Sequence, residues 1–223
     1  MRLVLPAALL LSLLSACRPD QIEHLRDTKR IAVEAENWQV KRITPQNLLR
    51  ATQWAGDSLT RTAERELRQV LARKLEEGGV AAALPYCRPA VLPATDSLAR
   101  KLQASLAWVS PRPRNPANRA ALTPAELHPI DTTARRVARL STDAFTYQRP
   151  IVLRDQLCLR CHGEVGKDIS AADYALIRKQ YPQDEATGYR LGQAAGLWRV
   201  QVQRPGVAAF WTMKTRKVFK RRF

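Results

Sequence analysis

After Leu197, the run Trp198-Arg199-Val200-Gln201-Val202-Gln203 alternates apolar and polar residues without a break. Successive side chains of a strand point to opposite faces. Trp198, Val200 and Val202 therefore share one face, and Arg199, Gln201 and Gln203 the other. That pattern predicts a half-buried strand of an antiparallel sheet, whose apolar face needs a cover. A cover is written earlier in the chain. From Pro45 to Gly78-Gly79, the residues Leu48, Thr52, Ala55, Leu59, Ala63, Leu67, Val70, Leu71 and Leu75 recur every three or four positions. This is the buried stripe of a long amphipathic helix, and the double glycine is its stop.

Further strands and helices follow from the same periodicities. Leu102, Ala104, Leu106 and Trp108 alternate with more polar neighbours, which suits a strand; a helix ending near Ser105 is the other reading. Phe145 to Leu153 reads as a second strand, which Pro150 places at an edge or ends early. Thr123-Pro124-Ala125-Glu126 is a capping box that predicts a helix running toward Leu140. Ser170 caps another helix through Gln180, closed by Pro182. Between these, Ser110 to Asn118 holds three prolines and two arginines, a stiff basic loop. Antiparallel strands flanked by helices give the α+β class.

The ends of the chain speak to place. Arg2 precedes twelve uncharged residues, 3–14, too short for a span that needs roughly 20 apolar residues. Leu14-Ser15-Ala16-Cys17 then looks like a bacterial lipobox, which makes 1–16 a lipoprotein signal peptide and Cys17 the lipidated residue. The expected organisation is a tether over 17–44, a domain over 45–204 and a basic tail over 205–223. The expected address is the bacterial cell envelope, on the periplasmic side, anchored to a membrane. The 223 residues carry a formal charge of +17. Part of it is concentrated at Lys214, Arg216, Lys217, Lys220, Arg221 and Arg222. An exported address makes nucleic acid a poor partner. Anionic lipid for the tail, or an acidic redox protein, fits better; a solvated tail is the plain alternative.

Four cysteines are present: Cys17, Cys87, Cys158 and Cys161. The last two lie in Cys158-Leu159-Arg160-Cys161-His162. In such a run two thiols add to the vinyl groups of a haem, and the histidine binds its iron as an axial ligand. Two rivals use the same residues. One is a dithiol redox centre, which expects a helix beginning at the pair, where Gly163 and Gly166 instead interrupt. The other is a Cys₃His zinc site adding Cys87, for which adjacent Cys161 and His162 are poorly spaced. If haem takes the pair, a second axial ligand comes from Cys87, Met213, His128 or His24, or the position stays open. Cys87 is the leftover thiol, and a thiolate stabilises ferric iron, whereas methionine raises the potential. An inert buried thiol is the plain reading of Cys87. Arg112 and Arg114 are candidate partners for haem propionates, since a guanidinium suits a carboxylate; a solvated loop is the alternative.

The order of motifs adds to this. Cys87, Arg112-Pro113-Arg114-Asn115-Pro116-Ala117-Asn118, Tyr147-Gln148-Arg149-Pro150-Ile151, Cys158 to Gly163, Gly188 to Gly192 and Gly196 to Val200 together resemble a bacterial single-haem c-type cytochrome family with a PAS-like fold. The resemblance covers about residues 45–203. Gln193 stands where an acidic residue is common, and nothing after 204 has a counterpart. The family occurs as stand-alone exported proteins and as extracytoplasmic sensing domains of receptors. The resemblance implies one haem c attached through Cys158 and Cys161, with His162 and a cysteine matching Cys87 on the iron. Such a protein is expected to be an electron carrier rather than an enzyme, partnered by a redox protein. A haem-based redox or gas sensor acting through a relay protein is the alternative, and a thiol-disulfide oxidoreductase a lesser one.

Overall fold

A computed structural model describes residues 28–38, 42–87, 92–120 and 130–216. They fall into two compact units, residues 43–213 and the two end segments. In the end segments, helix α1 (Thr28–Trp38) lies within the stretch expected as a tether. No helix among the described residues is long and apolar enough to cross a membrane. Cys17, His24, His128 and the capping box at 123–126 lie outside the described residues.

The larger unit is built on helix α2, Pro45–Ala83. Thr44 opens it, its side chain accepting from the Asn47 amide at 3.2 Å, with proline in the first turn. The predicted stripe is buried from Leu48 through Thr52, Ala55 and Leu59 to Ala63. The double glycine acts as a kink rather than a full stop. Gly78 and Gly79 leave helical geometry, Gly79 at φ 64°, ψ −154°, and one more helical turn follows to Ala83. A 3₁₀ turn, Leu84–Tyr86, then delivers Cys87.

Against α2 lies a four-stranded antiparallel sheet in the order β1-β4-β3-β2. Its strands are β1 (Ala104–Val109), β2 (Arg136–Arg139), β3 (Ala144–Val152) and β4 (Ala194–Gln203). In β4, Trp198, Val200 and Val202 are buried while Gln201 and Gln203 face solvent. Val202 sits opposite Phe145 and Val200 opposite Tyr147, so the inner faces of β3 and β4 form one apolar surface. Leu48, Ala51 and Leu59 of α2 pack on it. Gly56 permits the closest approach: a Cβ there would collide with the Tyr147 ring. Pro150 sits beyond the residues of β3 that pair with β2, where the strand has β4 as its neighbour. This is an α+β fold, a helix-flanked antiparallel sheet consistent with a PAS-like arrangement.

Helix α3 (Pro93–Lys101) precedes β1, and the chain continues through the short helix α4 (Ala117–Ala120). Two expectations are corrected. The helix predicted toward Leu140 is replaced at 136–139 by β2, entered through an Asp131 turn whose carboxylate accepts from the Thr133 amide at 2.8 Å. Strand pairing with β3, with Val137 packed against the core, outweighs the local helical signal. Likewise 205–223 is not a tail throughout. After α5 (Gln156–His162) and α6 (Ala171–Gln180, capped by Ser170), helix α7 spans Arg204–Thr215, and Val207 and Phe210 are buried. Its first turn abuts Leu102 so closely that a Cβ on Gly206 would clash with the Leu102 carbonyl. The spacing of Val207, Phe210 and Trp211 is that of a helix face.

Candidate functional site

Helix α5 (Gln156–His162) carries the Cys-x-x-Cys-His run. Asp155 caps it, its carboxylate accepting from the Leu157 amide at 3.0 Å, and Gly163 ends it. Residues three and four apart share a helix face, so Cys158, Cys161 and His162 point to one side. Leu159 points to another and packs with Leu153, Ala186 and Tyr189. A Cβ on Gly163 would come within 2.7 Å of the Leu159 carbonyl, so glycine closes the helix tightly.

The shared side faces a cavity of about 240 Å³ between α2, β1, β3, β4 and α5. Cys87, Cys158, Cys161, His162, Arg112 and Arg114 all line it. Six residues scattered over 76 positions of sequence are thereby brought to one space. Apolar Leu67, Leu71 and Leu75 of α2, with Trp108, Ile151 and Trp198 of the sheet, form much of the wall. Met213 does not join them; it is 61% exposed on α7. No three metal-ligating side chains converge among the described residues, so a four-donor zinc site is not preformed.

His162 is held by its own backbone surroundings. Its Nδ1 lies 2.7 Å from the Ala186 carbonyl oxygen. A carbonyl can only accept, so the proton belongs on Nδ1 and Nε2 keeps its lone pair. Burial, with the Arg114 charge adding to it, pushes the imidazole pKa down to about 4. At neutral pH the ring is an uncharged donor, the form a metal accepts. The Tyr189 ring meets it edge-on with centroids 6.5 Å apart, and the Tyr189 amide donates to the His162 carbonyl.

Burial also raises the three thiols. Cys161 is pushed up to about 11, and Cys87 and Cys158 move the same way. Arg114 pulls against that shift at both Cys87 and Cys161. All three cysteines are free of disulfide.

The two arginines behave differently. Arg112 donates to the Thr187 carbonyl and stacks on the Tyr189 ring, 4.5 Å from its centroid. Arg114 is nearly buried. Its Nε and Nη2 reach the Asp184 carboxylate at 3.1 and 3.4 Å, and Nη2 also donates to the Cys161 carbonyl at 2.5 Å. Its Nη1 is buried with no protein partner. A buried guanidinium nitrogen left so is an open hydrogen-bond position for an anionic ligand group. Asn115 holds the loop, accepting from the Ala117 amide at 3.1 Å.

Asp184 is the residue that sequence reasoning missed. Its side chain is fully buried, yet it lies in a short polar stretch after Pro182 with no motif around it. Only tertiary structure brings it to Arg114.

Comparison with known proteins gives a family. No curated protein matches the chain. Among solved structures, the crystal structure of the cyanobacterial heme-protein Tll0287 is similar over 65% of this chain and 92% of that one, at 21% identity and a TM-score of 0.42. The Tll0287-like family model matches residues 24–203, from the segment before α2 to the end of β4. The chain belongs to the Tll0287-like family.

Proposed function

We propose that this protein is an exported, lipid-anchored cytochrome carrying one covalently attached haem c, and that it works in one-electron transfer. One observation carries the reading. A short capped helix aims two thiols and an imidazole into an apolar cavity, and the imidazole is pinned with Nε2 free. Membership of a family named for a protein described as a heme-protein agrees with it.

The residues fit the group. Cys158 and Cys161 would hold it by thioether bonds, and His162 would bind its iron through Nε2. Cys87, which lines the same cavity, is the candidate second protein donor to that iron and would bind it as the thiolate. Arg114 Nη1 is an unsatisfied buried donor suited to a propionate, which makes Arg114 a stronger candidate than Arg112. Bound there, haem supplies reversible one-electron exchange at its iron. The apolar wall of Leu67, Leu71, Leu75 and Trp198 excludes water, and a Cys87 thiolate would favour the ferric state. Were His162 and Cys87 both to hold the iron, substrate turnover there would be disfavoured.

The dithiol reading is weakened on two counts. Burial raises both thiols of the pair, whereas exchange needs a thiolate near neutral pH. Cys158 is the third residue of α5 and Cys161 the sixth of its seven, so neither thiol stands at the residue that opens the helix. Export, the Cys17 anchor, the periplasmic address and an acidic redox partner remain parts of the proposal that rest on sequence.

The test is maturation in a cytochrome-assembling host, read by mass and absorption. The proposal expects one added haem and a low-spin ferric paramagnetic resonance signal that Cys87→Ala alters. A colourless chain of unmodified mass overturns it. Displacement of Cys87 by carbon monoxide, with a change of structure, would move the function from carrier to gas sensor.

A further inference from the structure

Asp184 has no hydrogen bond to His162 or to the thiols, yet short polar links connect it to His162 and to the backbone of Cys161. Its Oδ1 accepts from Arg114 Nε at 3.1 Å and from the Ala186 amide at 3.0 Å. The Ala186 carbonyl in turn accepts the His162 Nδ1 proton at 2.7 Å. Arg114 closes the circuit from the other side, donating to the carbonyl of Cys161, the residue before His162. One buried carboxylate thus fixes both the acceptor that orients the imidazole and the cation beside the cysteines.

Neighbouring backbone contacts hold the same segment. The Glu185 amide donates to the Pro113 carbonyl at 3.1 Å, and the Gly188 amide to the Gly163 carbonyl at 2.7 Å. Residues 184–189 are therefore strapped across the end of α5, with Asp184 as the charged anchor. Outer partners of a metal-binding histidine set its orientation and donor strength. Buried charge near a haem iron shifts its potential.

We infer that Asp184 is a positioning residue of the haem site: through Ala186 it orients His162, and through Arg114 it sets the charge felt by the iron. This rests on the haem reading above. A buried ion pair kept only for stability would influence unfolding and leave the iron's signature alone, so the two roles separate by measurement.

The experiment uses the matured holoprotein and Asp184→Asn, with covalent haem checked by mass and folding by circular dichroism. Loss of a buried negative charge leaves Arg114 uncompensated, and the midpoint potential moves upward. Loosening of the Ala186 acceptor broadens or splits the low-spin resonance signal. The charge-cancelling double variant Arg114→Gln/Asp184→Asn brings the potential back toward the parent while the broadening stays. A folded, haem-loaded Asp184→Asn protein with parental potential and a parental signal overturns the inference. Should that single variant fail to load, the double variant is read for line shape alone, and a sharp parental signal is the overturning result. If the parent itself takes up no haem, the proposed function fails and the inference is read on the His162 ring nitrogens by ¹⁵N resonance. Nδ1–H in the parent and a mixture of tautomers in Asp184→Asn support it; identical tautomers overturn it.

Discussion

The seam between α2 and the sheet and the strap around α5 are held by different balances of apolar and polar contact. At the seam, Leu48, Leu59, Phe145, Tyr147, Val200 and Val202 are buried against one another, and polar links accompany that contact: the Tyr147 hydroxyl donates to Asp57 at 2.6 Å and Trp198 Nε1 to Glu64 at 3.0 Å. Thr52 and Thr60 each return a hydrogen bond to their own helix at 2.8 Å, and Thr60 Oγ1 also accepts from Arg149 Nε of β3 at 2.6 Å. The strap over 184–189 buries only Ala186 and Tyr189 among its apolar side chains, and is fixed by Asp184, Arg114 and backbone pairs. Apolar contact is tolerant of geometry and scales with area, whereas a charged hydrogen-bonded circuit fails if one member leaves. A fold can be held by the first and a ligand aimed by the second.

The largest effect expected is at the seam. Phe145 is 2% exposed, with no polar atom to satisfy, so Phe145→Ala removes apolar contact and leaves a cavity. A loss of about 3–5 kcal/mol is expected, a large share of a domain's stability. Chemical denaturation of Phe145→Ala with and without attached haem measures it. If the seam and strap are as separate as described, the loss is the same in both forms. A loss below about 1 kcal/mol would mean the seam is not where the fold is held.

Next comes acid, which acts on the strap. His162 is held neutral at a pKa lowered from 6.5 to about 4, first by burial and then by Arg114. The unfolded chain binds that proton more readily, so lowering pH favours unfolding. Stability from this group is complete above pH 6.5 and declines as pH falls through about 4. Two and a half units correspond to at most about 3 kcal/mol. Denaturation of the haem-free chain across this window, beside His162→Gln, reads it. A parental slope in the variant would remove His162 as the cause.

The same contrast explains what could be read from sequence. Trp198, Val200 and Val202 alternate, and Leu48 to Ala63 recur at helical spacing, because burial on one face imposes a period. Cys158, Cys161 and His162 were legible because the haem attachment proposed for them would dictate their spacing. The Asp184–Arg114 pair joins positions 70 apart and has no period, so nothing local announces it. The helix expected toward Leu140 failed for a related reason. Partner β3 lies in sequence beyond it, and pairing with a neighbour is invisible to a local capping rule. Cys87 needed both kinds of information: an odd thiol in the count, and a turn that places it in the cavity.

Gly79 tests the join between the two regions. At φ 64°, ψ −154° it occupies backbone space that other residues rarely enter, yet a Cβ there would meet nothing within 4 Å. Gly79→Ala therefore adds strain and no clash, of order 1–3 kcal/mol. Since this kink leads to Leu84–Tyr86 and Cys87, relaxation of the strain would turn the Cys87 approach. A holoprotein with lower melting temperature and an altered resonance signal is expected. Lower stability with an unchanged signal would confine the kink to the fold.

The smallest effect sharpens the comparison with a polar device carried by α2 outside its apolar contact with the sheet. The N-cap of helix α3 is Leu92, a residue with no capping group. Glu66 of α2 supplies one from 28 residues away, accepting from the Ala94 and Thr95 amides at 2.9 Å each and from the Thr95 hydroxyl at 2.8 Å. A carboxylate at a helix N-terminus satisfies unpaired amides and meets the positive end of the helix dipole. Glu66→Gln keeps one good acceptor and loses the charge, so about 0.5–1 kcal/mol is expected; Glu66→Ala loses both, about 1–2 kcal/mol. Thermal melts of the two variants give the order. Because Glu66 is tied to neither the strap nor the thiols, potential and resonance signal should stay parental in both. An altered potential at Glu66 would mean that seam and strap are coupled through α2, and the division drawn between them would have to be abandoned.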